Sequence, residues 1–233
     1  MRAIVRPGDL VVDVGANTGI YAYQLARLVG PRGAVHAIEP DPASVARLEA
    51  LRRAQPNITV HAVAASDRSG TGTLHVPLFG GKRLGALASV SLPQGRAPDY
   101  ETVSIRLAPI DQILPASGAV AFIKVDVEGH ETSVLRGAQA TLRRSLPPLL
   151  IEIEQRHQQA DIRRTFDDLT TLGYKGYAAH ARGLRPLDEF DLDRDQLAHI
   201  TGDFVPGAMP PEYVHDFLFV RPGEDVRALL APA

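Results

Sequence analysis

Hydrophobic positions along the chain fall into two kinds of run that alternate. Leu10 to Val14, Ala34 to Ile38, Ile58 to Val63, Phe122 to Val125 and Leu149 to Ile153 are short and almost continuously apolar, which predicts strands buried on both faces. Between them, apolar residues recur at helical spacing: Ala22, Leu25, Ala26 and Val29, then Val45, Leu48 and Leu51, and later Val134, Leu135, Ala138 and Leu142. Another such stripe, Ile162, Phe166 and Leu169, predicts a helix from about Gln158 to Leu172 with Gly173 as its stop. Strand and helix in alternation predict an α/β fold, a doubly wound and mostly parallel sheet covered by helices on both faces.

Local signals sharpen the boundaries. Thr18 is placed to cap the first helix, Gly30-Pro31 ends it, and Asp41 followed by Pro42 marks the start of the second. The rhythm breaks between Gly70 and Tyr100, where a short alternating run, Thr73 to Val76, leads into a loop rich in glycine, proline and small residues. The first expectation for it is a mobile surface insertion, and the second, since loops of that length in compact domains are often functional, is a lid or substrate loop. Val103, Ile105 and Leu107 then alternate as a strand, and Ile110 to Leu114 predicts a short helical turn. Arg182 to Glu212 is charged and punctuated by proline. With no repeat and no linker, residues 1–233 are expected to form a single domain, with 70–100 and 180–213 as loop or lid insertions.

Composition changes this picture little. A length of 233 residues suits one sizeable α/β core, and 45% hydrophobic residues is ordinary for a globular protein. No apolar stretch approaches the ~20 residues that span a bilayer, and the start of the chain does not resemble a signal peptide, so a cytoplasmic location is expected. The absence of cysteine excludes disulfides, thiolate metal sites and a cysteine nucleophile. A net charge of -2, with no basic aromatic stripe, gives no reason to expect nucleic acid as a partner.

The candidate chemistry begins at Asp13-Val14-Gly15-Ala16-Asn17-Thr18-Gly19, a buried strand that runs into a glycine turn and a helix. In doubly wound sheets, ligands are held where a helix starts at the carboxyl end of a parallel strand. The turn lacks the three glycines of a dinucleotide fingerprint, and an acid at Asp13 suits a cation better than a phosphate. Twenty residues beyond Gly19, Glu39 ends the next strand, where it can accept hydrogen bonds from both hydroxyls of a ribose. Ser66 and Asp67 follow the third strand on the same rim, in position to hold an adenine ring. Asp13, Gly15, Gly19 and Glu39 together resemble the S-adenosylmethionine site of class I methyltransferases, and Asn17 is a further candidate contact. Tyr21 is balanced between ligand contact and core.

A second stretch, Ile123-Lys124-Val125-Asp126-Val127-Glu128-Gly129-His130-Glu131 followed by Val134-Leu135-Arg136-Gly137-Ala138, makes the resemblance specific. With Asp13 to Tyr21, Glu39-Pro40, Val103 to Leu114, Pro148 to Ile153 and Asp216 to Val220, it is similar to the FkbM family of S-adenosylmethionine-dependent methyltransferases. The resemblance implies a Rossmann-like sheet of seven strands, mostly parallel with an antiparallel C-terminal strand, in which Tyr174 to Ala179 and Val214 to Val220 pair at the close. It implies methyl transfer to an oxygen of a small molecule or glycan, a sugar hydroxyl first and a natural-product hydroxyl second, with S-adenosylhomocysteine as product. Family members usually carry more structure ahead of the glycine turn than the nine or so residues here. The site is therefore expected to be more open, closed by the 70–100 segment, or completed by a second subunit as in a homodimer.

A hydroxyl acceptor gains from a general base, worth roughly 10²–10⁴-fold. The candidates are Asp126, Glu128, His130, Glu131, Glu152 and His157. Asp126 at its strand end leads as the active-site acid and is also a cofactor contact, with His130 and Glu152 as further catalytic candidates. Glu131 is expected to hold the turn by accepting backbone N–H bonds. Mg²⁺ held by Asp126, Glu128 and Glu152 is the lesser reading. Two other classes stay open: a protein that binds S-adenosylmethionine without transferring a methyl, and an NAD(P)-dependent oxidoreductase, against which the missing third glycine argues.

Overall fold

The computed structural model describes residues 1–91, 99–180, 183–200, 209–224 and 226. In chain order, β1 (Leu10–Val14) leads to α1 (Ile20–Val29), β2 (Ala34–Ile38), α2 (Pro42–Ala54) and β3 (Ile58–His61). The chain then leaves the sheet for β4 (Ala64–Ala65), β5 (Gly70–Phe79), β6 (Lys82–Arg83) and β7 (Tyr100–Ala108). It returns through α3 (Ile110–Ile113) to β8 (Val120–Val125), α4 (Glu131–Arg136), α5 (Gln139–Ser145), β9 (Leu149–Glu152) and α6 (Arg163–Thr171). The closing elements are β10 (Lys175–His180), β11 (Gly183–Pro186), α7 (Leu192–Asp195) and β12 (Asp216–Val220).

The larger sheet runs β11-β10-β12-β9-β8-β1-β2-β3. β9, β8, β1, β2 and β3 are parallel neighbours, and β12 inserts antiparallel between β9 and β10. The doubly wound class is as expected, but the described residues give eight strands where seven were expected. The extra edge strand is β11, paired antiparallel with β10 from inside the 180–213 segment that was expected to be loop. That segment also contains α7.

The 70–100 segment differs more. Its Thr73–Val76 run is the middle of a ten-residue strand, β5, which pairs along its length with β7. With β4 and β6 it forms a second sheet of order β4-β7-β5-β6. The pattern in the sequence does not show its extent because burial is confined to Leu74, Val76 and Pro77 among exposed or half-buried neighbours, so the alternation is short. Most of the segment is thus antiparallel strand, β5 paired with β6 and β7, in a sheet separate from the larger one; residues 92–98 lie outside the described residues.

The core has two halves, set by the period of two along each strand. Val12, Val14, Ile123, Val125, Ile151 and Phe217 pack under the helical stripes of α4, α5 and α6, whereas Val11, Val35, Ala37 and Phe122 pack with Ala22, Leu25 and Val29 of α1 and Leu48 of α2. Each fully buried Leu or Phe contributes roughly 1.5–3 kcal/mol. Asp13 and Lys124 have the same parity as Val11 and Phe122, which puts both on the face covered by α1. The helix expected after Asp126 is broken into α4 and α5 at Gly137, where an added Cβ would lie 1.9 Å from the Ser66 carbonyl oxygen. Asp111 supplies the missing cap, accepting from Ala140 N and Thr141 N at 2.8 Å each.

Candidate cofactor and acceptor site

The glycine turn at the end of β1 is held by three strands. Gly15 N and Ala16 N donate to Ile38 O at 3.0 and 3.2 Å, and Asp126 N donates to Val14 O at 3.0 Å. Gly15 has φ of 75°, and a Cβ there would stand 1.7 Å from the Asp126 carbonyl oxygen, so only glycine lets β8 approach the turn this closely. Asn17 also takes a left-handed conformation, φ 46°, which an asparagine tolerates at a tight turn. α1 is capped by Gly19, φ 89°, with no side-chain cap; the role expected for Thr18 falls instead to the backbone.

Glu39 sits at the end of β2 and is 6% exposed. Its Oε2 accepts from Asn17 N and its Oε1 from Asp41 N, both at 2.8 Å. Burial pushes its pKa up to about 7, and the two backbone N–H groups limit the rise. Each oxygen keeps a free lone pair, and the carboxylate lines a cleft of about 550 Å³, part of it open to solvent, together with Asn17, Ala65, Leu74, Asp126 and His130.

The roof of that cleft comes from the second sheet. Gly85, Ala86, Ala88 and Val90 line it, Ser91 Oγ donates to Gly129 O at 3.0 Å, and Ser89 Oγ donates to Glu128 O. Arg83 fastens the β5–β6 hairpin to the start of α2 through an ion pair with Asp41 at 3.0 Å and reaches Glu101 at 2.7 Å. Residues 74–90 thus contribute one wall of the cleft, and the β5–β6 hairpin within them is tied to α2 by the Arg83–Asp41 salt bridge.

Beneath the turn lies a buried row of charges. Asp13 is fully buried; no side-chain hydrogen bond reaches its oxygens, and its partner is the Lys124 ammonium, 3.9 Å from Oδ1. Lys124 Nζ also stands 2.9 Å from Asp126 Oδ2 and 4.4 Å from the Tyr21 ring centroid. Burial pushes the Asp13 carboxyl up to about 6 against the pull of Lys124. Burial lowers Lys124, but Asp126 and Asp13 outweigh it and the net shift is upward. Lys124 was missed as a functional residue. The signal was present in the sequence: a lysine in the middle of Phe122-Ile123-Lys124-Val125 must find a carboxylate once the strand is buried.

Further along the rim, Glu128 takes φ 52°, a strained conformation for a residue with a side chain, and burial raises its pKa well above the usual carboxylate range. His157 Nε2 stands 3.1 Å from Glu128 Oε2 and 3.6 Å from Glu154 Oε1. Glu131 holds the turn as expected, accepting from Gly129 N at 2.8 Å.

The sequence model of the methyltransferase FkbM domain matches residues 13–177. The chain belongs to the FkbM methyltransferase family. It is 29% identical over 160 residues to the 31-O-demethyl-FK506 methyltransferase FkbM of Streptomyces tacrolimicus, covering 58% of this chain and 61% of that one. The chain therefore spans about three-fifths of the length of this curated relative. Among solved structures it is similar to the FkbM methyltransferase of Methylobacillus flagellatus, with a TM-score of 0.57 and 21% identity over 91% of this chain and 43% of that one. It also resembles Aeropyrum pernix fibrillarin crystallised with S-adenosyl-L-methionine, with a TM-score of 0.50 and 16% identity over 93% and 68% of the two chains. At these identities the structural likenesses establish the fold: a class I methyltransferase sheet.

Within this FkbM fold, Gly15, Asn17, Glu39, Asp126 and His130 line one cleft. Asp13 and Gly19 do not line it: Asp13 is buried on the face of the sheet covered by α1, and Gly19 caps α1 against Leu48 and Leu51 of α2. Ser66 and Asp67 do not line it: Ser66 is fully buried, with its hydroxyl 2.9 Å from His130 Nε2, and the lining at this point is Ala64 and Ala65. The cause is β4, which turns away after β3 to pair with β7 and carries Ser66 inward. His130 precedes α4, and its burial lowers its pKa. Glu152 lies outside the cleft lining, on the rim facing His215. Asp126, Glu128 and Glu152 do come together, with ligand atoms within 4.8 Å of one another. Each already faces a cationic or titratable partner, Lys124, His157 and His215 respectively, so the proximity of the three carboxylates does not by itself support Mg²⁺ there. No helix among the described residues is long and apolar enough to cross a membrane.

Proposed function

We propose that this chain transfers a methyl group from S-adenosylmethionine to a hydroxyl oxygen of a small molecule or glycan. The observation that carries the reading is the Glu39 carboxylate, fixed by two backbone N–H groups and turned into a cleft floored by the Gly15 turn. Bound there, the cofactor supplies an electrophilic methyl group on a sulfonium. Glu39 accepts the ribose hydroxyls, Asp126 faces the cationic amino-acid end, and the apolar surface of Ala65, Leu74 and Val90 suits an adenine ring. The net negative row of Asp13, Lys124 and Asp126 favours a cation at the turn over a pyrophosphate.

For the transfer itself, alignment of acceptor and methyl can supply on the order of 7–11 kcal/mol of the barrier. The rim where an acceptor approaches carries Asp126, Glu128, Glu152 and Asp216, which favours a neutral polyhydroxyl acceptor over a phosphodiester such as a nucleic acid. The test is calorimetric titration with S-adenosylhomocysteine and with NAD, on the natural sequence and on Glu39→Ala. Micromolar binding of the first ligand alone, lost in the variant, is the expected result; NAD binding would reject the reading. Incubation of S-adenosylmethionine with sugars and with macrolide alcohols then separates an enzyme from a protein that only binds the cofactor.

A further inference from the structure

The rim holds one set of side chains that cofactor binding does not use. Because β12 runs antiparallel to β9, it enters the sheet at the ligand edge, and Asp216 is in register with Glu152. His215, the residue before it, places Nδ1 3.3 Å from Glu152 Oε1. The ligand atoms of Glu152, His215 and Asp216 lie within 4.8 Å of one another, and so do those of Asp126, Glu128 and Glu152. Glu152 thus joins His215 to Asp126, which lines the cleft.

The other two histidines of the rim are committed. His130 Nε2 is 2.9 Å from the Ser66 hydroxyl, and His157 Nε2 points between two carboxylates. His215 is different: its side chain is 39% exposed, its ring stacks on Tyr213 at 5.9 Å, and Nδ1 is turned to Glu152, which leaves Nε2 for a ligand. A histidine oriented by a carboxylate is the arrangement that accepts a proton from a hydroxyl nucleophile and stabilises the imidazolium that results.

We propose that His215, oriented by Glu152, takes the proton of the acceptor hydroxyl during methyl transfer; this rests on the O-methyl transfer reading above. As the acceptor oxygen bonds to the methyl carbon, the carbon–sulfur bond breaks and its electron pair stays on sulfur, which becomes a neutral thioether. The hydroxyl proton passes to His215 Nε2, and Glu152 holds the imidazolium. Glu152 from β9, Asp216 from β12 and Glu154 surround the ring, with Asp126 of the β8 edge behind Glu152. Glu152 foremost pushes the His215 pKa up to about 9, against its burial. Only the neutral ring takes a proton, so transfer is expected to rise with pH toward 9.

The test needs no acceptor. In the full chain labelled at histidine, with the His215 signal assigned from His215→Asn, the ring is titrated by NMR with saturating S-adenosylmethionine and with saturating S-adenosylhomocysteine. These ligands differ by one positive charge at the reacting centre. If His215 faces that centre, its pKa is lower in the sulfonium complex by about half a unit or more. Equal values in two complexes that both form overturn the assignment and leave the cofactor reading standing, whereas failure of both ligands to bind overturns that reading first. In Glu152→Gln the His215 pKa is expected to fall toward 6.5; no change removes Glu152 from the pair.

Discussion

Lys124 Nζ stands 3.9 Å from Asp13 Oδ1 and 2.9 Å from Asp126 Oδ2, so one buried ammonium serves two carboxylates on adjacent strands. Removing one partner of such a pair leaves a charge in a medium that cannot solvate it, at a cost of about 3–5 kcal/mol. Lys124→Met is therefore expected to lose stability of that order at pH 8, and Lys124→Met combined with Asp13→Asn to recover at least half of it. Urea denaturation of the two variants decides the point: equal losses would show that the pair is not coupled.

Glu39 links pH to both stability and binding, with opposite signs. Burial lifts its carboxyl from 4.5 to about 7, so the folded free protein holds a proton that the unfolded chain has already released. The resulting stability is fully present below pH 4.5 and is lost as pH rises through about 7. Its size is on the order of 3 kcal/mol. Cofactor hydroxyls need the ionised form, so affinity for S-adenosylhomocysteine is expected to climb about tenfold between pH 6 and 8. Calorimetry in that range on Glu39→Gln should show a flat, weaker profile; a slope like that of the natural sequence would assign the titration to another group.

Arg83 is the tie between the hairpin roof and the main sheet. Its ion pair with Asp41 joins a one-third exposed side chain to a buried one, 32% and 2% exposed respectively. Arg83→Ala leaves Asp41 without that partner and frees the β5–β6 turn above the cleft. S-adenosylhomocysteine is expected to dissociate several-fold faster, with a loss of stability of about 1–3 kcal/mol. Stopped-flow displacement measures the rate, and an unchanged rate would mean that the roof does not gate the site.

The roof also shows where sequence inspection stopped. β5 is ten residues long, but its buried residues are Leu74, Val76 and Pro77, all within four positions, so its pattern resembles a loop with a short strand inside. The stretch of chain between β5 and β7 hid their pairing further, because Gly70 is in register with Leu107, far along the sequence. β11 was hidden in the same way, being a four-residue edge strand with no buried side chain. By contrast, the central strands β1, β2 and β8 are almost continuously apolar and buried, with Asp13, His36 and Lys124 as the polar exceptions, so their pattern is plain in the sequence.

For the site, the sequence by itself determined the Gly15 turn, Glu39, Asp126 and the backbone-holding role of Glu131, because each depends on a few consecutive residues at the end of a strand. The strand count, the roof, the inward turn of Ser66, the Lys124 partnership and the meeting of His215 with Glu152 were decided by tertiary structure. His215 and Glu152 are 63 residues apart in the sequence. What brings them together is the insertion of β12 between β9 and β10, a pairing fixed by backbone hydrogen bonds, Ile153 N to His215 O at 2.8 Å among them, and by the burial of Phe217 and Phe219.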